Sequence, residues 1–388
     1  VTFNATKNLP LATTITGSLP RPGWFDRNLD GRTFLSAFAA DPVYREQYAD
    51  AVAALVGDQL RAGLDVLSDG EMRFDQDIGG RSWSGYVLDR LAGVRSHAPG
   101  EDRTRSPAQS PGRGGADIFR EVIRGRSEVV GPLDAGALQY DAVWKTAQRL
   151  TSRPIKMGSC SAQLLDLQLT NRVHAGRREA VTALSQALNA EYHRLADAGC
   201  RAIQIEEPAL HNVGGRQQEL SPEEYVAAFN IEVSGLRAKT EVWCHICWGN
   251  PFAQRLARQP TLTPILPYVD GLDVDVVTFE TAENGGAELP EIAAAIGTAK
   301  KVAIGVVRHR SLQIETPDEV AALIRTALRY IEADRLILSS DCGFGRQGMS
   351  RVHAFYKMVA LVRGTNIVRR ELGIPEADVP ATDDRFAL

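Results

Sequence analysis

Cysteine is scarce in this chain, with five in 388 residues. The number is odd and the positions are widely spread, which excludes the paired disulfide framework of a small secreted domain. No charge of one sign dominates: 44 Lys and Arg stand against 48 Asp and Glu, a formal net charge of −4. That balance leaves no basic footprint for nucleic acid and no attraction to an anionic membrane surface. Long apolar runs are missing, and the opening VTFNATKNLP (1–10) has neither a cationic lead nor an apolar core. Neither an export signal nor a transmembrane span is therefore expected. A reducing cytoplasm is the expected setting, where cysteines can serve as thiolate ligands. No internal repeat is evident. The stretch GSLPRP (17–22) also lacks the glycine-rich phosphate turn that a doubly wound nucleotide-binding sheet places after its first strand.

What is present is an ordinary globular composition, 44% hydrophobic and 24% charged, able to bury a real core. Eight short β-rich runs recur along the chain: 11–16, 64–69, 153–159, 202–207, 241–247, 273–280, 301–307 and 335–341. Helical periodicity lies between most of them. It covers 45–63 and 178–199, each closed by a glycine, and 316–334, opened by Thr316 with Glu319 three residues on, a capping box. Eight strands with helical crossovers predict an α/β fold, a (β/α)8 TIM barrel, with the whole chain 1–388 as one catalytic barrel. The gap after the second run is too long for one crossover. Residues 85–150 are expected to form an inserted excursion, and its Pro-, Gly-, Ser- and Arg-rich middle, 95–117, to act as a lid.

In such a barrel the active site forms at the C-terminal ends of the strands. The unusual polar residues of this sequence collect there: Ser18, Asp69, Glu71, Glu206, Glu207, His245, Cys247, Glu280, Asp341 and Cys342. His245 and Cys247 are two apart on a strand, so their side chains share a face, while Cys244 turns to the other. A thiolate and an imidazole suit zinc, and neighbouring strands can complete the shell from Cys342 and Glu280. Cys160 and Cys200 read as small buried thiols. Trp24, Trp83 and Tyr86 are candidates for the barrel mouth.

The motifs HIC (245–247), DVVTFET (275–281) and SSDCGFG (339–345), with ITGSLPRP (15–22), SDGEMRFD (68–75) and IQIEEPAL (203–210), resemble those of the cobalamin-independent methionine synthase family, in the same order. The resemblance implies that Zn2+ is the cofactor and that His245, Cys247, Glu280 and Cys342 are its ligands. It also implies that Ser18, Glu71 and Glu206 hold the amino-acid part of a homocysteine-like thiol. The expected reaction is transfer of a methyl or alkyl group from a donor to that thiol. The chain departs from the family in having room for one barrel rather than two, in carrying Glu206 where the family has an aspartate, and at two further places. GSCSAQLLDLQL (158–169) has no tryptophan where the family stacks its folate, which counts against a folate donor. In VVRHRSLQ (306–313) Arg310 aligns with the family's histidine and His309 is displaced by one position. His309, Arg310 and Asp341 are the candidate catalytic groups. Epoxyalkane:coenzyme M transferase, a related single barrel, stays open as an alternative, with Arg21, Arg73, Arg308 and Arg310 as partners for a sulfonate. A non-catalytic zinc-binding barrel is the third reading. A homo-oligomer is compatible with the sequence, which does not demand one.

Overall fold

The computed structural model describes residues 4–76, 82–96, 127–207, 210, 220–248, 261–345, 348–383 and 385. In chain order the strands are β1 (Ala12–Thr13), β2 (Leu67–Ser68), β3 (Ala92–Ser96), β4 (Ser127–Asp134), β5 (Ile155–Cys160), β6 (Leu169–Asn171), β7 (Ala202–Glu206), β8 (Glu241–Ile246), β9 (Val276–Phe279), β10 (Lys301–Val307) and β11 (Leu336–Ser340). Eight of them form one parallel sheet in the order β1-β11-β10-β9-β8-β7-β5-β2. Its two edges meet. The Thr13 carbonyl accepts from the Asp65 and Val66 amides at 3.1 and 3.0 Å, and the Asp65 carboxylate accepts from the Thr13 amide and hydroxyl at 2.8 Å each. The expected eightfold barrel is therefore present, with all eight predicted runs on its strands.

The strands are buried on both sides, which is why they read as near-continuous apolar runs such as KVAIGVV in β10. The first predicted run is longer than the ladder it forms. Beyond Thr13 the amide of Thr14 still donates to the Leu338 carbonyl, but that of Thr16 turns to the Ser340 hydroxyl, so side chains replace the backbone ladder. The helices begin on local caps. Asp41 accepts from the Tyr44 amide ahead of Pro42–Ala62, which ends on Gly63 at φ 87°. The Thr316–Glu319 capping box opens Pro317–Ala327 as predicted, and a second box, Ser221–Glu224, opens Pro222–Glu232. The first of these helices stops seven residues short of the predicted end.

Inside the barrel the side chains stack in layers. At the N-terminal end Ala12, Val66, Ala202, Val276, Ala303 and Ile337 surround Trp243. Below them Glu241 binds the Ala5 and Thr6 amides, the Thr6 hydroxyl and the Trp243 indole N–H. Lys301 donates to the Thr6 carbonyl, so the N-terminal segment seals that end. The next layer up is polar, with Thr16 on Ser339 and Lys156 on Gln204. The mouth above it carries the candidate site.

Strands β3, β4 and β6 make a separate three-stranded sheet beside the barrel. It draws its first two strands from the 85–150 stretch, together with the helix Tyr140–Gln148. Residues 97–126, with most of the proposed lid, lie outside the described residues. Among the described residues no helix is long and apolar enough to cross a membrane.

Candidate active site

Ser18, Glu71, Glu206, His245, Cys247, Glu280, His309, Asp341 and Cys342 are all buried. Each lies at or just past the C-terminal end of a barrel strand, and together these ends form one face. Strand alternation aims Trp243 and His245 inward and sends Cys244 into the outer core, where burial raises its thiol pKa well above the ordinary value.

Two buried groups of donor atoms meet at Cys342. His245, Cys247 and Cys342 place their ligand atoms within 4.8 Å of one another, and so do Glu280, His309 and Cys342. Donors bound tetrahedrally to one zinc ion lie roughly 3.3–3.8 Å apart, so each group would draw in by up to about 1–1.5 Å to share an ion. Parallel pairing sets His245 opposite Thr278, and the His245 Nδ1 is hydrogen-bonded to the Thr278 hydroxyl at 2.6 Å. The ring is thereby oriented, and its buried Nε2, which takes no oxygen or nitrogen partner among the described residues, is left for the cluster. The Cys342 thiol is held well below its ordinary pKa: a hydrogen bond with Cys247 outweighs burial, and His245 adds to it. Burial works to lower the His245 pKa, but contact with Cys342 and the charges of Glu206 and Glu280 raise it. Two thiols, an imidazole and a carboxylate fit the donor set of a zinc site, and the oriented ring fits the way metal-binding histidines are held.

The surroundings fix the carboxylate Glu280. Arg310 Nη1 lies 3.4 Å from Glu280 Oε2. Asp341 accepts the amides of Thr281 and Ala282 on Oδ1, both at 2.8 Å, and that of Glu283 on Oδ2 at 2.9 Å. Asp341 therefore anchors the loop that carries Glu280. Burial and the Glu280 charge push its pKa up to about 8, against the pull of those amides. Gly305 makes room for this contact, since a Cβ there would stand 2.0 Å from Asp341 Oδ1.

On the other side of the mouth Glu71 sits in the left-handed region at φ 58°. Asp69 holds that turn by accepting the Glu71 amide at 3.0 Å and pairing with the fully buried Arg73 at 3.2 Å. Gly158 leaves space for the carboxylate, as a Cβ would come 2.7 Å from Glu71 Oε1. Glu206 Oε1 approaches the Gly17–Ser18 turn, 3.4 Å from where a Gly17 side chain would begin. Among the described residues the buried Ser18 Oγ has no hydrogen-bond partner. Sequence reasoning missed Lys156. Its ammonium donates to the Ile15 carbonyl at 3.0 Å and to Gln204 at 2.5 Å, below the carboxylates, over the face of Trp243. Burial lowers its pKa to about 7, against the charges of Glu206 and Glu71.

The remaining candidates divide. Trp83 and Tyr86 are buried and Tyr86 stacks on Tyr140, whereas Trp24 is exposed. Cys160 and Cys200 are buried thiols that face the carbonyls of Trp83 and Ala202. All four arginines proposed for a sulfonate have partners: Arg21 with Asn28 and the Phe74 carbonyl, Arg73 with Asp69, Arg308 with Glu315, and Arg310 with Glu280.

A parallel eightfold barrel with thiols, imidazoles and carboxylates gathered at its C-terminal mouth defines a barrel with a candidate metal site. Residues 135–363 match the family model described as cobalamin-independent synthase, catalytic domain, and the chain belongs to that family of methyl and thiol transferases. The match includes every candidate site residue from Glu206 onward; Ser18 and Glu71 lie before it. A methionine synthase of Saccharolobus islandicus is 28% identical over 363 residues, covering 93% of this chain and 96% of that protein. Among solved structures, a B12-independent methionine synthase from Shewanella sp. W3-18-1, in complex with selenomethionine, superposes with a TM-score of 0.68 at 24% identity, covering 94% of this chain and 99% of that one. A putative vitamin-B12-independent methionine synthase from Listeria monocytogenes gives 0.64 at 17% identity, over 91% and 96% of the two chains. These two likenesses bear on the fold.

Proposed function

We propose that this chain is a zinc-dependent methyltransferase that alkylates a homocysteine-like amino thiol and forms methionine. The observation that carries the reading is the buried His245–Cys247–Cys342 group, its histidine oriented by Thr278, at the same barrel end as Glu71 and Glu206. His245, Cys247, Cys342 and Glu280 would hold the ion. Bound there, zinc would supply the Lewis acidity that turns a thiol of ordinary pKa near ~8.5 into a thiolate at neutral pH. The protein's part is placement. Thr278 orients His245, Asp341 stiffens the 281–283 loop, and Arg310 holds the Glu280 carboxylate. Glu71 and Glu206 offer negative charge to a substrate ammonium, and Ser18 offers a hydroxyl to its carboxylate. The substrate sulfur's electron pair forms the new S–C bond as the donor's leaving group takes the electrons of the bond that breaks. His309 and Arg310, beside the fourth ligand, are the groups placed to manage the accompanying proton and charge.

The engaged arginines weigh against coenzyme M. A sulfonate would have to compete with carboxylates or carbonyls for each of them, whereas an ammonium meets carboxylates already at the mouth. Isothermal titration in buffers of different ionisation enthalpy tests this. Homocysteine should bind with release of about one proton per chain, and coenzyme M should bind weakly. Tight, proton-releasing binding of coenzyme M alone would overturn the choice of substrate.

A further inference from the structure

The donor groups at the mouth hold one more ligand than a tetrahedral ion needs. Glu280, His309 and Cys342 lie within 4.8 Å of one another, and Cys342 also belongs to the His245–Cys247 group. We infer that His309 is a second occupant of the fourth ligand position, alternating with Glu280 around the same ion. The inference rests on the zinc reading above.

The backbone explains why this histidine reaches the site. The β10–β11 register slips between Gly305 and Val307, so that Gly305 faces Ser339 and Val307 faces Ser340, two residues on one strand against one on the other. A bulge of that kind re-aims the side chains that follow it. Arg308 is turned away, its amide and guanidinium both on Glu315. His309 is turned in and fully buried. Arg310 reaches the Glu280 carboxylate instead. Glu280 thus lies within reach of the Cys342–His309 group and of Arg310 in one and the same position, and an arginine is a good resting partner for a carboxylate that leaves an ion.

Chemically the two arrangements differ in charge. With Glu280 the shell carries three anionic ligands, Cys247, Cys342 and Glu280, and with His309 it carries two. Fewer anionic ligands leave more positive charge at the ion, which favours ionisation of an incoming thiol. Retention of the ion during exchange of Glu280 for substrate sulfur is the second consequence, because a protein donor stays within reach throughout.

The test uses the full chain as wild type, Glu280→Ala, His309→Ala, His309→Gln and the Glu280→Ala/His309→Ala double variant, each checked for folding by circular dichroism. Zinc affinity is read by competition with a chromophoric chelator, and the shell by X-ray absorption, in which imidazoles are counted from their multiple scattering. Glu280→Ala should keep one zinc per chain with two imidazoles in the shell. Each single variant should weaken zinc by roughly tenfold to a hundredfold, and the double variant by more than the product of the two. A single imidazole in Glu280→Ala, or His309 variants indistinguishable from their parents in affinity, would overturn the inference while leaving the zinc reading intact. A folded wild type that takes no zinc would overturn the zinc reading itself.

Discussion

Thr278→Val is the sharpest perturbation of the site, because it changes one atom group and keeps the shape. Valine suits a buried strand as well as threonine does, and the backbone pairing of Thr278 with His245 across β8 and β9 would remain. What is lost is the 2.6 Å contact between the hydroxyl and His245 Nδ1. Nδ1 is then left buried without a partner, a penalty of about 1–3 kcal/mol. The ring can escape it only by rotating, which takes Nε2 off the cluster. Loss of such an outer partner typically lowers metal affinity by about 10–100-fold, or roughly 1.4–2.7 kcal/mol. The two routes to the magnitude agree. Competition with a chelator at fixed pH measures it directly, and Thr278→Ser, which restores the hydroxyl, should recover most of the loss. An affinity in Thr278→Val within twofold of wild type would refute the argument that this bond sets the histidine.

Other outcomes follow from the same geometry. Lys156 has a folded pKa near 7 against 10.5 for the free side chain. The unfolded chain therefore binds the extra proton between those values, and stability should rise with pH across that window, by up to about 1.4 kcal/mol per pH unit. Urea unfolding at stepped pH should show this slope in wild type and its loss in Lys156→Met. Trp243→Ala empties the centre of the apolar layer and should cost about 3–5 kcal/mol in thermal or urea unfolding. Glu71→Gln and Glu206→Gln should raise KM for the amino thiol while leaving metal content unchanged; equal loss of metal would move these residues out of the substrate subsite. Cys244→Ala should leave metal content unchanged, whereas Cys247→Ala should lower it, as measured by elemental analysis.

Much of this could be read from the sequence because parallel strands buried on both faces leave a plain signature. All eight runs fall on barrel strands, and the His-x-Cys parity correctly separates Cys247, at the mouth, from Cys244, in the outer core. The Thr316–Glu319 box marked its helix because a cap is a local interaction. What stayed hidden depends on contacts between distant segments. The β3-β4-β6 sheet joins strands across an intervening barrel strand, and its short outer members β3 and β6 are half-exposed and carry no strong periodicity. The orientation of His309 depends on a bulge set by pairing with β11, so residue-by-residue alignment favoured Arg310 instead. Lys156 reads as an exposed residue by type, and only closure of the barrel makes its position internal. The sequence marks Asp341 as a candidate catalytic group, and its contacts with three successive amides give it a part in positioning the Glu280 loop.

The central claim is that the Cys342 cluster holds a zinc ion on which a substrate thiol is activated. X-ray absorption at the zinc edge, recorded on the purified protein before and after addition of homocysteine, tests it most directly. The account predicts one zinc per chain with two protein sulfurs, and one further sulfur once homocysteine is bound. A protein that holds no zinc, or a zinc shell that gains no sulfur at saturating homocysteine, would contradict it.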